Sequence, residues 1–374
     1  MNILITNCSS DLYGSSRILV IVMEALVKKN KVTLVLPEEG PLMGLIKEKK
    51  IDVKIVVMPN MPIVARRMNT ISGLVATAQN YKKGRSFLKK IVKSEKIDIC
   101  YVNTLAGFFL LRIFHQIGKR TVLHVHEILE KPKKITAIIN KYSLKWADEV
   151  ICVSQPVRDN ICLFDKRGKS ESKVKVIFNG IADQYMPVQQ NKTQTVITLI
   201  GRITEAKGIW YFLETIATLP ESIAKSCVFK IIGGPAPGKE HLIDKLENDI
   251  RSHRYKLNFI YIPFIEDVRE QLNMTDILVA PSLMADPFPT TILEGLSAGK
   301  AIIATNGGGA VQSIESGVSG ILIDRNDVKA FRESLESLVS DLNKRTIMGI
   351  KARERYLKCF QIEMFQNSIS NIFN

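Results

Sequence analysis

Short runs rich in valine and isoleucine alternate with longer helical stretches along most of this chain. NILITN, KVTLVLP and RTVLHVHE are three of the runs, and SSRILVIVMEALVKKN is the helical stretch that follows the first of them. This alternation predicts βαβ units, because parallel strands need a crossover connection that is usually a helix. A polar segment at 186–195 interrupts the pattern, which restarts at VITLIGR. We therefore predict an α/β protein with two doubly wound, Rossmann-like domains.

The length of 374 residues also exceeds what one hydrophobic core usually supports. We predict a first domain at 1–185, a linker at 186–195 and a second domain at 196–354. No apolar run approaches the ~18 residues that indicate a transmembrane helix, and the first residues are typical of a strand rather than of a signal peptide. Six cysteines without metal-ligand spacing indicate reduced thiols. We expect a cytoplasmic location.

One segment of the second half, 281–310, reads PSLMADPFPTTILEGLSAGKAIIATNGGGA. Its pattern predicts a strand end, a loop, a short helix, a second strand and a glycine loop. Proline suits a loop and a first helical turn but not a helix interior, so the helix should begin near Pro289. The free N–H groups at its start then form an anion site. Asp286 precedes that site, and Glu294 lies one turn inside the helix. A phosphate site flanked by two carboxylates suits a sugar nucleotide.

This segment resembles the signature of the family 4 retaining glycosyltransferases, whose GT-B fold has two Rossmann-like domains facing across a cleft. The family signature has two glutamates with seven residues between them, a helix of small residues, a strand and a Gly-Gly loop. Asp286 stands at the first glutamate position and Glu294 at the second. The Asp-Pro-Phe-Pro-Thr variant resembles the subgroup that builds bacterial surface polysaccharides. The resemblance also implies that the C-terminal helix, about 355–374, crosses back to the first domain.

The resemblance assigns the donor to the second domain. Arg202 and Lys207 match the pair that neutralises the donor diphosphate, and their spacing across a strand-to-helix turn would let them converge on one anion. Glu294 would accept hydrogen bonds from the ribose hydroxyls, and Asp286 would lie near the transferred sugar. The glycine loop 307–309 either approaches the diphosphate or is a simple tight turn. The other residues expected to contact the donor are Gly14, Gly234, Phe264, Ile265, Phe288, Pro289, Thr290 and Thr291.

Two histidines alternate in TVLHVHE, so we expect His124 and His126 on opposite faces of one strand. The resemblance implies that His126 contacts the donor sugar, whereas His124 is expected to be structural. We predict His126, Asp286, Arg202 and Lys207 as the catalytic residues. The resemblance implies that no metal and no other cofactor is needed, and the two cations would take the place of Mg²⁺ at the leaving group.

Basic residues are concentrated in the first half of the chain. Residues 1–187 contain 31 lysines and arginines against 16 acidic residues, whereas 188–374 contain 21 of each. The stretch 82–96, KKGRSFLKKIVKSEK, is basic and amphipathic. Such a helix either lies on an anionic membrane or packs on its own sheet with a solvated basic face. The charge bias of the first half favours the first alternative. The resemblance implies a polyprenyl-diphosphate-linked acceptor at the cytoplasmic face of the inner membrane.

The predicted function is transfer of a sugar from a nucleotide-diphosphate sugar, a UDP-sugar in preference to a GDP-sugar, and the resemblance implies that transfer is retaining. The acceptor would be a hydroxyl of a growing, lipid-linked surface polysaccharide. A nucleotide-sugar epimerase of the same architecture is the alternative enzyme, and a basic nucleic-acid-binding protein is the alternative non-enzyme. No RNP-like pattern, zinc spacing or recognition helix supports the latter, so we expect no nucleic acid partner. No GxGxxG follows the first strand, which argues against a dehydrogenase.

Overall fold

The computed structural model describes residues 1–12, 14–64, 70–165, 168, 170–187 and 193–373, except for the side chain of residue 71. The chain divides into two compact units. The first comprises Met1–Asn179 and Glu363–Asn374, and the second comprises Gly180–Ile362. Part of the predicted linker, 188–192, lies outside the described residues. Within the described ranges, no helix combines the length and the apolar character needed to cross a membrane.

Seven parallel strands form the sheet of the first unit. They are β1 (Asn2–Asn7), β2 (Lys31–Leu36), β3 (Val53–Val57), β4 (Ile99–Asn103), β5 (Arg120–Val125), β6 (Glu149–Cys152) and β7 (Val174–Val176). Their order in the sheet is β3-β2-β1-β4-β5-β6-β7, with every pair parallel. The order reverses between β1 and β4, and ligands of open α/β sheets bind outside the carboxyl ends of the strands at such a switch point.

Six parallel strands form the sheet of the second unit. They are β8 (Thr195–Ile200), β9 (Cys227–Ile232), β10 (Phe259–Ile262), β11 (Ile277–Ala280), β12 (Ala301–Thr305) and β13 (Ile321–Ile323). The order is β10-β9-β8-β11-β12-β13, so this switch point lies between β8 and β11. Two doubly wound parallel sheets confirm the predicted fold class.

Helices connect these strands. In the first unit they are α1 (Gly14–Leu26), α2 (Pro41–Glu48), α3 (Ile71–Ser94), α4 (Phe108–Gln116), α5 (Lys133–Trp146) and α6 (Gln155–Cys162). The second unit contains α7 (Ile209–Ala217), α8 (Glu221–Lys225), α9 (His241–Ser252), α10 (Arg269–Asn273), α11 (Thr290–Ser297), α12 (Ala310–Ser313), α13 (Val328–Ser340) and α14 (Leu342–Cys359). The last helix is α15 (Ile362–Phe373).

The last helix, α15, packs into the core of the first unit. Phe365 and Phe373 are 2% and 1% exposed, and they belong to the same apolar cluster as Ile5 of β1. Burying two large aromatic side chains supplies several kilocalories of apolar stabilisation, on the order of 2–3 kcal/mol each. The predicted return of the C-terminal helix to the first domain is therefore confirmed, although α15 begins at Ile362 because α14 occupies the preceding residues.

Candidate functional site

A cleft lies at the switch point of the second sheet, where β8 and β11 end side by side. Its polar lining consists of Lys207, Ser282, Asp286, Thr291 and Thr305. Pro289 and the backbone of the glycine loop complete the wall on one side. Of the residues predicted from the sequence, the structure therefore collects Lys207, Asp286, Pro289 and Thr291 around one opening.

Lys207 and Asp286 form an ion pair in this cleft. The Lys207 Nζ and Asp286 Oδ2 atoms are 2.5 Å apart, and the two side chains are 28% and 21% exposed. The loops that carry them touch through their backbones. Gly208 has a φ of 74°, and a Cβ there would lie 1.9 Å from the Pro281 carbonyl oxygen. Glycine after Lys207 is therefore required for the lysine turn to pack against the loop that follows β11.

The glycine loop after β12 supports Asp286 from behind. The Gly309 N–H donates to the Asp286 carbonyl oxygen at 2.8 Å. Gly308 has a φ of 57°, and a Cβ at this position would lie 2.0 Å from the same oxygen. Both glycines therefore allow a backbone approach that any side chain would prevent. The loop that carries Asp286, called the carboxylate loop below, depends on this packing for its conformation, whatever it contributes to ligand binding.

The start of α11 faces the same cleft. The helix begins at Thr290, directly after Pro289, and no side chain caps its first turn. Pro289 and Thr291 both line the cleft, so the N-terminal end of the helix, with its partial positive charge, points toward it. Glu294 follows one turn later and is partly exposed. A Cβ on Gly295 would lie 2.3 Å from Leu278 Cδ2, so glycine lets α11 pack closely on β11.

The other residues predicted for the donor site have different surroundings. Arg202 is exposed on the turn after β8. Phe264 is 62% exposed, close to Gly234, and Ile265 beside it is partly buried. Phe288, in contrast, is 5% exposed and packs edge-to-face on a phenylalanine of the second unit, so only its backbone can reach a ligand.

A row of hydrogen-bonded polar side chains marks the switch point of the first sheet. His126 Nε2 lies 3.1 Å from Asn103 Oδ1, and Asn103 Nδ2 lies 2.8 Å from Asn7 Oδ1. Gly14 begins α1 at the same edge of the sheet. Neither asparagine was among the residues predicted from the sequence. Their signal was available, because each is the last residue of an apolar strand and the two strands are neighbours.

His124 and His126 lie side by side, with ring centroids 4.0 Å apart. The expectation of opposite faces is wrong, because side chains two residues apart along a strand point to the same face. His126 follows β5 directly and keeps that arrangement. His124 is fully buried, and its Nδ1 atom is 2.5 Å from the hydroxyl of Tyr101. Burial holds the pKa of His124 well below its usual value, which fits a structural role.

The Glu127 side chain bridges the backbone segments that follow β4 and β5. Its carboxylate accepts hydrogen bonds from the backbone N–H groups of Leu105, at 3.1 Å, and His126, at 2.9 Å. Burial raises the pKa of Glu127 to about 7. The hydrogen bonds that the carboxylate accepts lower the pKa, but their effect is smaller than that of burial. His126 is partly exposed, yet its ring lies deep enough that burial lowers its pKa to about 3. The imidazole is therefore neutral at physiological pH. Among the described residues, no three His, Cys, Asp or Glu side chains are grouped to hold a metal ion.

The basic helix predicted for the membrane is part of α3. Leu88 is 0% exposed and Val92 is 7% exposed, so the apolar face of this helix packs within its own unit. The face left to solvent is basic. A mixed surface occurs instead on α5, where Ile135 and Ile138 are 47% and 53% exposed among exposed lysines.

Comparison with known proteins identifies relatives of both units. The family described as Glycosyltransferase Family 4 matches residues 13–185, and the family described as glycosyl transferases group 1 matches 183–355. The capsular polysaccharide biosynthesis glycosyltransferase CapM of Staphylococcus aureus is 22% identical over 251 residues, which cover 63% of this chain and 64% of CapM. The lipopolysaccharide core biosynthesis glycosyltransferase LpsE of Rhizobium meliloti is 25% identical over 222 residues, covering 58% of this chain and 61% of LpsE. The chain thus matches less than two thirds of the length of these relatives.

The fold is also found among solved structures. Anabaena HepE, crystallised in complex with UDP and glucose, superimposes with a TM-score of 0.81 at 18% identity, over 100% of this chain and 99% of HepE. The glycosyltransferase WaaG, involved in lipopolysaccharide biosynthesis, gives a TM-score of 0.71 at 14% identity, over 99% of each chain. At these identities the superpositions establish a shared fold, the GT-B fold.

Proposed function

This chain belongs to the glycosyltransferases of family 4 and group 1, and we propose that it transfers a sugar from a nucleoside-diphosphate donor to a hydroxyl of a growing surface polysaccharide. The observation that carries the proposal is the cleft of the second unit. A lysine, a carboxylate and a helix N-terminus meet there at the switch point of a doubly wound sheet. Cation and N–H groups suit the diphosphate, and carboxylates suit the hydroxyls of ribose and sugar.

The departing diphosphate is the main charge to be stabilised during transfer. Lys207, Arg202 and the N–H groups at the start of α11 are the groups proposed to stabilise it, in place of a metal ion. Lys207 offers three N–H donors, so it can bind a phosphate oxygen while remaining bonded to Asp286. We propose that transfer retains the anomeric configuration, with the leaving phosphate taking the proton of the acceptor hydroxyl.

A UDP-sugar is the proposed donor. HepE, which shares the fold, was crystallised with UDP and with UDP-glucose. CapM and LpsE are named for polysaccharide and lipopolysaccharide biosynthesis, which supports a glycan acceptor. We propose that this acceptor is linked to polyprenyl diphosphate and that the first unit lies on an anionic membrane surface. The net charge of the first half and the exposed isoleucines of α5 support that placement.

A thermal-shift panel tests the donor site. UDP, GDP, dTDP, CMP and NAD are added to the wild type, to Glu294→Ala and to Glu214→Ala, which removes an exposed glutamate of α7. A ligand at about 100 times its Kd stabilises a protein by roughly 2.7 kcal/mol, which is a visible shift. We expect one nucleoside diphosphate, UDP, to stabilise the wild type and the Glu214 variant but not the Glu294 variant. Absence of any shift in the wild type would contradict the proposal.

Proton NMR of the reaction with UDP-glucose tests the chemistry. A retaining transferase without an acceptor releases UDP slowly and yields α-glucose first, whereas an inverting enzyme yields β-glucose first. An epimerase would instead change the sugar signals while the sugar stays attached to UDP. The expected result is UDP release with the α-anomer.

A further inference from the structure

The hydrogen bonds at the switch point of the first sheet have a fixed direction. Asn7 Nδ2 lies 2.6 Å from the backbone carbonyl oxygen of Ser9, which can only accept. The nitrogen of the Asn7 amide must therefore be on that side, where it also lies 3.2 Å from the Ser16 hydroxyl. The Ser16 hydroxyl can accept or donate a hydrogen bond, so its contact is compatible with this orientation of the Asn7 amide. The oxygen of Asn7 consequently points toward Asn103.

This direction continues to the histidine. Asn103 donates from Nδ2 to the Asn7 oxygen at 2.8 Å, which leaves its own Oδ1 atom facing His126 Nε2 at 3.1 Å. An amide oxygen has no proton to give, so Nε2 must carry the hydrogen. The ring is neutral, as described above, and therefore has only this one N–H proton. Nδ1 is left with a lone pair.

The Nδ1 atom of His126 is available to a ligand. No other described residue forms a hydrogen bond with this ring. Nδ1 is not one of the fully buried polar atoms that lack a partner, so this unpaired atom is accessible at the surface of the unit. The ring lies at the carboxyl ends of β4 and β5, one strand away from the switch point. Titratable groups in contact with His126 are the ring of His124 and the carboxylate of Glu127, which accepts a hydrogen bond from the His126 backbone.

The family resemblance already implies that His126 contacts the donor sugar. We propose that Asn103, oriented by Asn7 and the Ser9 carbonyl, is a positioning residue that fixes His126 as the Nε2–H tautomer, so that in this contact Nδ1 accepts a hydrogen bond from a sugar hydroxyl. The identity of the substrate rests on the proposed function, whereas the tautomer rests on the hydrogen bonds alone. The opposite tautomer would place two lone pairs, on Nε2 and Asn103 Oδ1, against each other at 3.1 Å. It would also present a donor to the substrate.

Nitrogen-15 NMR of histidine-labelled protein reads the tautomer directly, without substrate. The chain has five histidines, and the signals of His126 are those that disappear in His126→Gln. We expect a protonated Nε2 and an unprotonated Nδ1 in the wild type. In Asn103→Asp the added carboxylate should favour the imidazolium, so both nitrogens become protonated at a higher pH than in the wild type. A wild-type ring protonated on Nδ1 would overturn the proposal.

The variant Asn103→Leu distinguishes a role of Asn103 in positioning His126 from a role in folding alone. Asn140→Leu is its control, because Asn140 is equally buried and hydrogen-bonded in α5 but does not contact the network. We expect Asn103→Leu to give a mixture of His126 tautomers and to lower kcat/KM for UDP release from UDP-glucose by about 10-fold. UDP itself lacks the sugar, so its thermal shift should not change. Asn140→Leu should leave the tautomer unchanged. An unchanged tautomer in Asn103→Leu would overturn the proposal.

Monodeoxy analogues of UDP-glucose test the hydroxyl contact. If Nδ1 accepts from one hydroxyl, the analogue without it should lose about 10-fold in kcat/KM with the wild type and much less with Asn103→Leu. Equal losses with both proteins, for every analogue, would contradict the contact. Absence of any UDP shift in the wild type would instead mean that the proposed function fails, while the NMR result on the tautomer still stands.

Discussion

Lys207 Nζ lies 2.5 Å from Asp286 Oδ2, although 79 residues separate the two in the sequence. The pair makes the centre of the cleft nearly neutral before any ligand arrives. A donor diphosphate must therefore share or displace Asp286 as the partner of Lys207. The strength of nucleotide binding and the rate of transfer should respond differently when this pair is changed.

Replacing Asp286 by asparagine tests that difference. Asp286→Asn removes the negative charge beside the proposed phosphate site, and Lys207 loses its competing partner. We expect UDP to bind as tightly as to the wild type or several-fold more tightly, while sugar transfer falls by about 10²-fold or more because the carboxylate near the sugar is lost. Calorimetry and initial rates measure the two effects.

The control for this variant is Asp249→Asn. Asp249 forms an ion pair with Lys245 at 2.8 Å on α9, outside the cleft. Neither UDP affinity nor transfer should change in it. A loss of UDP affinity in Asp286→Asn would indicate that the carboxylate supports nucleotide binding, contrary to this account.

Substituting Gly308 tests the support of the carboxylate loop. Gly308→Ala places a Cβ 2.0 Å from the Asp286 carbonyl oxygen, at a φ of 57°. Gly317→Ala is matched, because Gly317 has a φ of 80° but nothing within 4 Å. Both variants should lose about 1 kcal/mol to backbone strain. Only Gly308→Ala should also displace Asp286 and reduce transfer by more than about 10-fold. Equal activities in the two variants would show that the contact does not matter.

Glu127 should make the stability of the protein depend on pH. Its pKa is raised from 4.5 to about 7, so the folded state keeps a proton that the unfolded chain has lost in this window. Stability relative to a neutral variant therefore falls as pH rises. We expect the difference in unfolding free energy, wild type minus Glu127→Gln, to decrease by about 2–3 kcal/mol from pH 4.5 to 7 and then level off.

Urea unfolding at several pH values measures this difference. The lowered pKa values of His126 and His124 change the unfolding free energy in the opposite direction. The stability that these neutral histidines contribute is lost as pH falls below 6.5, the usual histidine value. Both proteins share these histidines, so their effect cancels in the difference. A difference that increases with pH would contradict the raised pKa.

The exposed isoleucines of α5 provide a test of membrane binding. We expect the wild type to sediment with vesicles that contain anionic lipid and not with neutral ones. The double variant Ile135→Ser, Ile138→Ser should bind several-fold more weakly, because less apolar surface enters the interface. The matched control is Ile347→Ser, Ile350→Ser on α14, where the two side chains are 57% and 53% exposed. Equal losses in both variants would contradict a specific role for α5.

The sequence predicted the two sheets because their strands carry a strong local signal. Buried parallel strands are nearly continuous apolar runs, as in NILITN and KVTLVLP, and these became β1 and β2. Lys207, Asp286 and the start of α11 were each predicted for the same site. Their arrangement was not, because it depends on backbone contacts at Gly208 and Gly308, and a sequence does not show which distant carbonyl a glycine approaches.

The polar network of the first unit was predicted least well. His124 and His126 were expected to face apart, but the two-residue period of a strand places residues i and i+2 on one face, as the structure shows. Asn7 and Asn103 are 96 residues apart, and each is only a polar strand end until the order of the strands is known. Of the two alternatives for 82–96, packing within its own unit with a solvated basic face is the one observed, because Leu88 and Val92 are buried there. Membrane binding stays a prediction.

Binding of a nucleoside monophosphate and diphosphate tests the central claim most directly. Lys207→Ala is compared with Lys225→Ala, which breaks an exposed pair with Glu221. Calorimetry is run with UMP and UDP. We predict that Lys207→Ala weakens UDP binding by about 10–100-fold, the value of a charge-assisted hydrogen bond, and changes UMP binding far less. Lys225→Ala should change neither. Equal effects of Lys207→Ala on UMP and UDP, or no effect on either, would contradict a diphosphate site at Lys207 and Asp286.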